Sequence, residues 1–173
     1  WTCINPRRDY LNDARFSLAT TNVLEARATY SNLTGSCARI CFMPEYFPGQ
    51  VTNEYKGDAI YAELSRSGAN LQITAYRQFD AGMLGRAGIA TGVVSYIDGR
   101  GVSLQVSTNK VRAYYGTSQV FEADHGLSQI TNAFRQGAFP HFEFQNKDAD
   151  TASEATFGGV RCRTLSNFTA PGE

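Results

Sequence analysis

The segment "FPHFEFQ", residues 139–145, holds the side chains best suited to proton transfer. His141 and Glu143 alternate in it with Phe142 and Phe144. Because side chains at i and i+2 of a strand lie on the same face, this alternation predicts a strand with both phenylalanines in the core. His141 and Glu143 are then predicted to share the opposite face.

The segment "VRCRT" offers a matching pair of cations. Arg161 and Arg163 alternate with Cys162, so both arginines are predicted to lie on one strand face. Antiparallel pairing of these two consecutive strands would bring the arginines toward His141 and Glu143. The histidine or the carboxylate would then move a proton while the arginines stabilise negative charge. The sequence thus predicts a catalytic set for a small secreted enzyme that acts on an anionic polymer, as a polysaccharide lyase or a ribonuclease does.

The same four residues also fit a purely structural role. They would form the solvated face of an edge hairpin, held by cross-strand ion pairs. Pro140 favours an edge strand, because proline has no N–H to donate to a neighbouring strand. Under this interpretation, replacing His141 leaves every activity unchanged.

Two short pieces, "WTC" at residues 1–3 and "FPHF" at residues 139–142, resemble secreted fungal ribonucleases of the guanyl-specific and ribotoxin type. The resemblance implies that His141 is a catalytic histidine, with Glu154 and Arg161 as its acidic and basic partners. The family pattern also has a second, later histidine, whereas no histidine follows position 141 in this chain. Ribonuclease activity is therefore one branch of the enzyme hypothesis.

Another group of residues predicts ligand binding. The 16 basic residues include only three lysines, so the chain is rich in arginine. Guanidinium groups bind carboxylates in a bidentate fashion and stack on aromatic rings. Tyrosines that alternate along strands are able to line a groove for sugars, although tyrosine is also a common strand residue. The predicted ligand-binding residues are Tyr76, Arg77, Tyr96, Tyr114 and Gln145.

The loop "NKDADTASE" suggests a calcium site. Its oxygen donors Asn146, Asp148, Asp150 and Glu154 are spaced as in calcium loops. The loop lacks the glycine of an EF-hand, and Phe157 stands where the EF-hand has its last glutamate. An irregular calcium site and a solvated loop are the two interpretations, and no other cofactor is expected.

Cysteines and sequons point to secretion. The chain starts at Trp1 rather than Met, as a processed secreted protein does, and an even number of cysteines favours disulfides outside the cytosol. Two cysteines separated by three residues also suggest a zinc site, but no second pair of ligands follows at a suitable spacing. The expected disulfides are Cys3–Cys162 and Cys37–Cys41, and the expected glycosylation sites are Asn32 and Asn167.

Alternating apolar residues predict an all-β fold. Residues 59–65 and 71–77 are predicted to form one hairpin, and residues 88–97 and 102–107 a second. Residues 23–30 are predicted to be a strand that ends at the turn "SNLTGS". Short helices are expected at residues 6–18 and between Asp124 and Gly137. The predicted architecture is one domain over residues 1–173, an antiparallel β-sandwich of jelly-roll type, stabilised by disulfides.

Composition narrows the classes of partner. Acidic and basic residues number 16 each, so the formal net charge is zero, which disfavours duplex DNA or an anionic membrane as partner. No apolar run is long enough to cross a bilayer. The leading hypothesis is an extracellular, lectin-like module that binds a glycan or another anionic polymer. The small enzyme comes second, and a secreted effector, toxin or inhibitor with a protein partner comes third.

Overall fold

The computed structural model describes residues 2–4, 23–43, 59–78, 86–126, 138–144 and 153–172. These ranges contain strands and turns, and no helix. The strands are β1 (Thr2–Ile4), β2 (Val23–Met43), β3 (Ala59–Ser67), β4 (Asn70–Gln78), β5 (Ala87–Ser95), β6 (Gly101–Val106), β7 (Lys110–Tyr115), β8 (Ser118–Asp124), β9 (Phe139–Phe144) and β10 (Glu154–Leu165).

All the strand pairs are antiparallel, and the ten strands divide into two halves that share β2. The second part of β2 pairs with β3 and β9, and this half, called sheet I, has the order β5-β4-β3-β2-β9-β1. The first part of β2 pairs with β6 and β10, and this half, called sheet II, has the order β10-β2-β6-β7-β8. The predicted all-β antiparallel class is therefore confirmed. Both predicted helices lie outside the described residues.

The unusual length of β2, 21 residues, comes from a segment that looks like a turn. Asn32 and Gly35 have positive φ values of 54° and 64°, a conformation that asparagine and glycine adopt more readily than other residues. The register against β3 also shifts between Ser36 and Ala38. These irregularities redirect the strand from sheet II into sheet I. The prediction that the strand ends at residues 31–36 is wrong, because the chain bends there without reversing.

The first predicted hairpin is confirmed. β3 and β4 pair from Ala59 opposite Gln78 to Ser67 opposite Asn70. The two-residue turn between them starts with Gly68 at φ 59°, the pattern of a type II′ turn. The core side chains of this hairpin are buried as predicted: Ile60, Leu64, Leu71 and Ile73.

The second predicted hairpin is wrong. β5 pairs with β4, whereas β6 pairs with β2 and β7. The turn at residues 98–100 carries the chain from sheet I to sheet II. Tyr115 fixes this crossing, since its hydroxyl accepts a hydrogen bond from Ile97 N and donates one to Ile97 O, each at 2.7 Å. Two successive strands show the same alternation whether they pair with each other or belong to different sheets. The sequence pattern therefore could not distinguish a hairpin from a crossing between sheets.

The two halves enclose one apolar core. Phe142 and Phe144 on β9 point into it, as predicted. Phe157 of β10 stacks on Phe144 with ring centroids 5.4 Å apart, and Tyr30 of β2 meets Phe157 edge-on at 5.8 Å. Burial of each large apolar side chain contributes about 1.5–3 kcal/mol to folding. This aromatic group therefore holds β2, β9 and β10 together.

The sandwich is nearly closed where β5 meets β8. A Cβ atom on Gly92 of β5 would lie 2.3 Å from Val120 Cγ1 of β8, so only glycine permits this approach. The two halves thus touch along their outermost strands as well as along β2. Within the described ranges, no helix has the length and apolar character to cross a membrane.

Candidate functional site

The outer face of sheet I collects polar and aromatic side chains, and we call it the polar face. Its residues alternate with those that enter the core, so the register of the sheet determines its composition. Arg39 lies opposite Glu63 on one side and Glu143 on the other. Two residues from Glu63 along β3, Tyr61 lies opposite Tyr76. The polar face consists of Arg39, Cys41, Tyr61, Glu63, Gln72, Thr74, Tyr76, Thr91, His141 and Glu143.

Arg39 is shared between two carboxylates. Its Nε lies 3.0 Å from Glu63 Oε2, and its Nη1 lies 3.4 Å from Glu143 Oε2. His141 Nε2 lies 3.3 Å from the other oxygen of Glu143. Arg39, Glu143 and His141 are all buried. This part of the polar face is a connected row of ionisable groups from β3 across β2 to β9.

An aromatic platform adjoins the row. The rings of Tyr61 and Tyr76 stack with centroids 5.2 Å apart and planes 25° apart. The guanidinium of Arg86 covers Tyr76 with Cζ 3.6 Å from the ring centroid, and its Nη2 is 3.6 Å from Glu63 Oε2. Burial raises the pKa of Tyr61, and the charges of Arg86 and Arg39 oppose that rise. Tyr61 is therefore a neutral hydroxyl at ordinary pH.

Exposure increases along the polar face toward its outer strands. Tyr76 and Arg86 are half-buried, and Gln72 and Thr91 are exposed. Thr74 Oγ1 accepts a hydrogen bond from Gln72 Nε2 and lies within hydrogen-bond distance of Thr91 Oγ1, both at 3.1 Å. The polar face thus offers an accessible ring, a guanidinium, an amide and hydroxyls at its open side.

These groups suit sugar recognition better than glycoside cleavage. A half-exposed ring beside hydrogen-bonding groups matches the alternating apolar and polar surfaces of a sugar. Hydrolases need two carboxylates that flank the scissile bond. Glu63 and Glu143 stand two strands apart, about 9–10 Å at the backbone. Arg39 fills the space between them, where the substrate or the attacking water would have to lie.

The outer face of sheet II is arranged around one buried carboxylate. Glu25 has a fully buried side chain and accepts hydrogen bonds from Arg163 Nε at 2.6 Å and Arg161 Nη2 at 3.3 Å. Gln105 Nε2 binds its other oxygen at 2.5 Å. Each oxygen of Glu25 therefore already has a donor, and the two arginines that supply one of them are themselves partly exposed.

The predicted catalytic set is consequently divided between two faces. β9 pairs with β1 and β2 in sheet I, whereas β10 pairs with the first part of β2 in sheet II. His141 and Glu143 contact each other, but Arg161 and Arg163 contact Glu25. The prediction that all four meet is wrong, because the connection between these strands changes sheet. The solvated-edge alternative is also wrong for His141 and Glu143, which are buried on a strand with neighbours on both sides.

A C-terminal segment covers the outer face of sheet II. Thr169 pairs with Gln105, accepting from its Nε2 at 2.6 Å and donating to its Oε1 at 3.3 Å. The ring of Phe168 lies 4.5 Å from the Arg112 guanidinium carbon, and Arg27 donates to the carbonyl of Gly172. We call this surface the covered face.

Of the described residues predicted to bind ligand, only Tyr76 belongs to the polar face. Tyr96 donates to Asp98 at the crossing from sheet I to sheet II. Tyr114 is buried and accepts from Arg112 Nη1 at 3.2 Å on the covered face. Two further predicted residues are Arg77, which donates to the carbonyl of His125 at 2.9 Å, and Gln145, which lies outside the described residues.

The calcium loop is largely outside the described part of the chain. Asn146, Asp148 and Asp150 fall in residues 145–152, and only Glu154 is described. Glu154 starts β10 and lies opposite Thr34 of β2. Among the described residues, no group of three or more histidine, cysteine, aspartate or glutamate side chains could hold a metal ion.

Neither predicted disulfide is present in the described part of the chain. Cys162 is a free thiol on β10, half-buried against the core, and burial raises its pKa to about 12. Cys3 lies on β1, the edge strand of sheet I, opposite Glu143. Cys37 and Cys41 belong to the same extended strand, where residues four apart are separated by about 13 Å. A disulfide needs Cα atoms about 4.4–6.8 Å apart.

Both sequon asparagines are exposed. Asn32 lies at the bend of β2, and its Nδ2 donates to Thr156 Oγ1 at 3.2 Å. Asn167 lies in the C-terminal segment, and its carbonyl accepts from Thr169 Oγ1 at 3.3 Å. Both positions are therefore open to modification.

Sequence reasoning missed the residues that organise the polar face. Tyr61 lies on a strand that was considered only for its apolar residues, Arg39 lies beyond the predicted end of its strand, and Arg86 precedes β5. A usable signal was present, since Glu63 alternates with Tyr61 along β3. The position of Arg39 offered none, because it follows the segment "SNLTGS" at which the strand was predicted to end.

Neither a protein-family model nor a curated protein matches the chain in sequence. Among solved structures, the chain is similar to the carbohydrate-binding module CBM66 from Bacillus subtilis, with a TM-score of 0.51 and 11% identity over 88% of this chain and 78% of that one. It is also similar to LamAcat from Zobellia galactanivorans, with a TM-score of 0.50 and 14% identity over 84% of this chain and 63% of that one. At such identities the likeness shows the fold, a jelly-roll-like sandwich.

Proposed function

We propose that the protein binds carbohydrate and that the polar face is its binding surface. The stack of Tyr61, Tyr76 and Arg86 beside Glu63 carries this proposal. A sugar ring would lie against the accessible edge of the stack, and its hydroxyls would donate to Glu63 or exchange hydrogen bonds with Gln72. The buried row behind the stack would hold these groups in place.

Two further observations support the proposal. The fold is similar to that of a protein named as a carbohydrate-binding module. The third hypothesis, a protein partner, would need a broad exposed apolar patch. Among the described residues, the exposed large apolar side chains are Val93 and Ile97 alone.

Calorimetric titration with neutral oligosaccharides chosen by a glycan array tests the proposal. Tyr76→Ala should weaken binding at least tenfold, since loss of an aromatic anchor costs about 2 kcal/mol or more. Tyr96→Ala is the matched control, because Tyr96 also lies beneath an arginine, Arg66, with 3.9 Å between Cζ and the ring centroid. Equal affinity of the two variants and the parent, or no binding to any glycan, would reject the proposal.

A second candidate function is a small enzyme that acts on an anionic polymer, either an acidic polysaccharide or RNA. The buried contact of His141 with Glu143, next to Arg39, favours it, because a histidine and carboxylate pair is a general acid–base arrangement. Wild-type protein and Glu143→Gln would be assayed on uronic-acid polymers and RNA. Turnover that disappears in Glu143→Gln would support the enzyme, and binding without turnover would support the module.

Secretion and glycosylation belong to the same proposal. The exposed sequons at Asn32 and Asn167 support them. Expression through a eukaryotic secretory pathway should give a mass that endoglycosidase treatment reduces. Asn32→Gln and Asn167→Gln should each remove one glycan, and a protein without sugar at either position would contradict this part of the proposal.

A further inference from the structure

A cleft of about 260 Å³ opens where the chain crosses from sheet I to sheet II, away from the polar face. Arg27 and Arg100 line it, together with Asp98 and the glycines at positions 101 and 116. We infer that this cleft binds one oxyanionic group, a carboxylate or a sulfate, carried by an acidic saccharide. The saccharide part of the inference rests on the proposed function, whereas the anion site does not.

Two glycines create the cleft. Gly116 N donates to Gly101 O at 2.8 Å, so the two residues are neighbours across β6 and the β7–β8 turn. A Cβ on Gly101 would lie 2.5 Å from Arg27 Nε, and a Cβ on Gly116 would lie 3.2 Å from Arg100 Nε. The two guanidinium groups thus lie against adjacent glycine backbones, where any side chain would displace them.

Both arginines have unused donors. Within the described part of the chain, neither Arg27 nor Arg100 forms an ion pair with a carboxylate. Arg27 uses Nη1 for the carbonyl of Gly172. A guanidinium has five N–H groups, so several donors on each arginine remain for a ligand.

The charge of the cleft is net positive. The carboxylate of Asp98 accepts from Tyr96 Oη and from the backbone N–H of Asn32. These bonds commit Asp98 to the wall of the cleft, and two guanidinium groups against one carboxylate leave one positive charge. Planar guanidinium forks match the geometry of carboxylate and sulfate oxygens. The volume is below the range of about 300–1,000 Å³ that is usual for whole small ligands, which suits a single charged group.

Amide NMR on the whole chain, with three oligosaccharides of equal length, tests the inference. The probes are neutral trigalactose, trigalacturonate and a sulfated trigalactose. Both acidic probes should shift the amide signals of Gly101 and Gly116, and the neutral probe should not. A response to one acidic probe alone supports the site and identifies its anion. Shifts that saturate only with molar salts, including inorganic sulfate, would mean an adventitious ion only and would overturn the inference.

Variants that lack the positive charges test the inference through the affinity of the probes. The double variant Arg27→Gln/Arg100→Gln should bind the acidic probes at least tenfold more weakly than the parent and bind the neutral probe equally well. Arg112→Gln is the matched control, since Arg112 does not line the cleft and pairs with Glu122. Acidic probes that bind the double variant as tightly as the parent would overturn the inference.

A steric variant separates position from charge. Gly101→Ala keeps both arginines but should displace Arg27. It should weaken binding of the acidic probes, and its melting temperature should show that the variant is still folded. Failure of the proposed function looks different: no neutral oligosaccharide of the glycan array binds the parent, while the acidic probes still shift Gly116. Failure of this inference leaves trigalactose binding intact and the Gly116 signal unmoved.

Discussion

The polar face and the covered face are built from the same residue types and differ in access. On the covered face, the buried carboxylate of Glu25 has donors at both oxygens, and the segment around Thr169 lies over its neighbour Gln105. On the polar face, Arg39 is divided between Glu63 and Glu143, and the adjoining aromatic platform reaches solvent. Arginine and glutamate on a strand therefore do not by themselves indicate a functional site. In the described part of the chain, the covered face is distinguished by the segment around Thr169 that lies over it.

The two faces depend on the same core, and Phe142 tests that dependence most strongly. Phe142→Ala should lower the free energy of unfolding by about 3–5 kcal/mol, because a fully buried ring leaves a cavity. Urea denaturation measures the change. Phe168→Ala, at the surface of the covered face, should cost much less. A loss below about 1 kcal/mol for Phe142→Ala would show that the site relaxes to fill the cavity.

If the ion pairs of Glu25 are structural, removal of their cations should cost stability and spare glycan binding at the polar face. The double variant Arg161→Gln/Arg163→Gln leaves Glu25 buried without a cation, and the expected cost is about 3 kcal/mol. Arg86→Gln on the polar face should show the reverse, a small change in stability and weaker glycan binding. Denaturation and calorimetry on both variants decide the matter. Loss of glycan binding in the arginine double variant, at a temperature where it is folded, would break the comparison.

His125 lies between the two halves and should make the stability of the protein depend on pH. Its ring Nε2 lies 3.0 Å from Ser107 O in sheet II, and its carbonyl accepts from Arg77 of sheet I. Burial lowers the pKa of His125 below its ordinary value of 6.5. The unfolded chain then binds more protons than the folded protein, so stability should fall as the pH drops below about 6.5. His125→Gln should flatten the stability profile in this range, and an unchanged profile would exclude His125 as its source.

The smallest effect is expected on the inner side of β10. Burial raises the pKa of the Cys162 thiol to about 12, and only the thiolate is nucleophilic. Iodoacetamide at pH 8 should therefore label Cys162 slowly in the native protein and quickly after denaturation without a reductant. Mass spectrometry of peptides measures both rates. Rapid native labelling, or no labelling after denaturation, would contradict the buried free thiol.

Local patterns in the sequence predicted the parts of the fold that are local. Alternation in residues 59–77 gave the β3–β4 hairpin, and alternation in residues 139–144 placed Phe142 and Phe144 in the core. Periodicity states which side chains share a face of one strand, but it does not state which strand lies beside it.

The candidate site depends on pairings that the sequence does not reveal. Asn32 and Gly35 are typical of a turn, yet here they bend one strand between two sheets. That bend puts Arg39 beside Glu143, which is 104 residues away along the chain. Arg161 and Arg163 alternate along β10 as predicted. They face Glu25 rather than Glu143, because the bend of β2 separates the two sheets.

The central position of β2 has a consequence for biosynthesis. Its partners emerge from the ribosome at very different times, since Glu63 follows Arg39 by 24 residues, Glu143 by 104, and Arg163 follows Glu25 by 138. At about 5–20 residues per second, translation separates Arg39 from Glu143 by roughly 5–20 s. During that interval the nascent chain carries β2 with one edge of each half unpaired, and such edges recruit other chains. Cotranslational protection of β2 should therefore matter more for this protein than for a sandwich made of sequential hairpins.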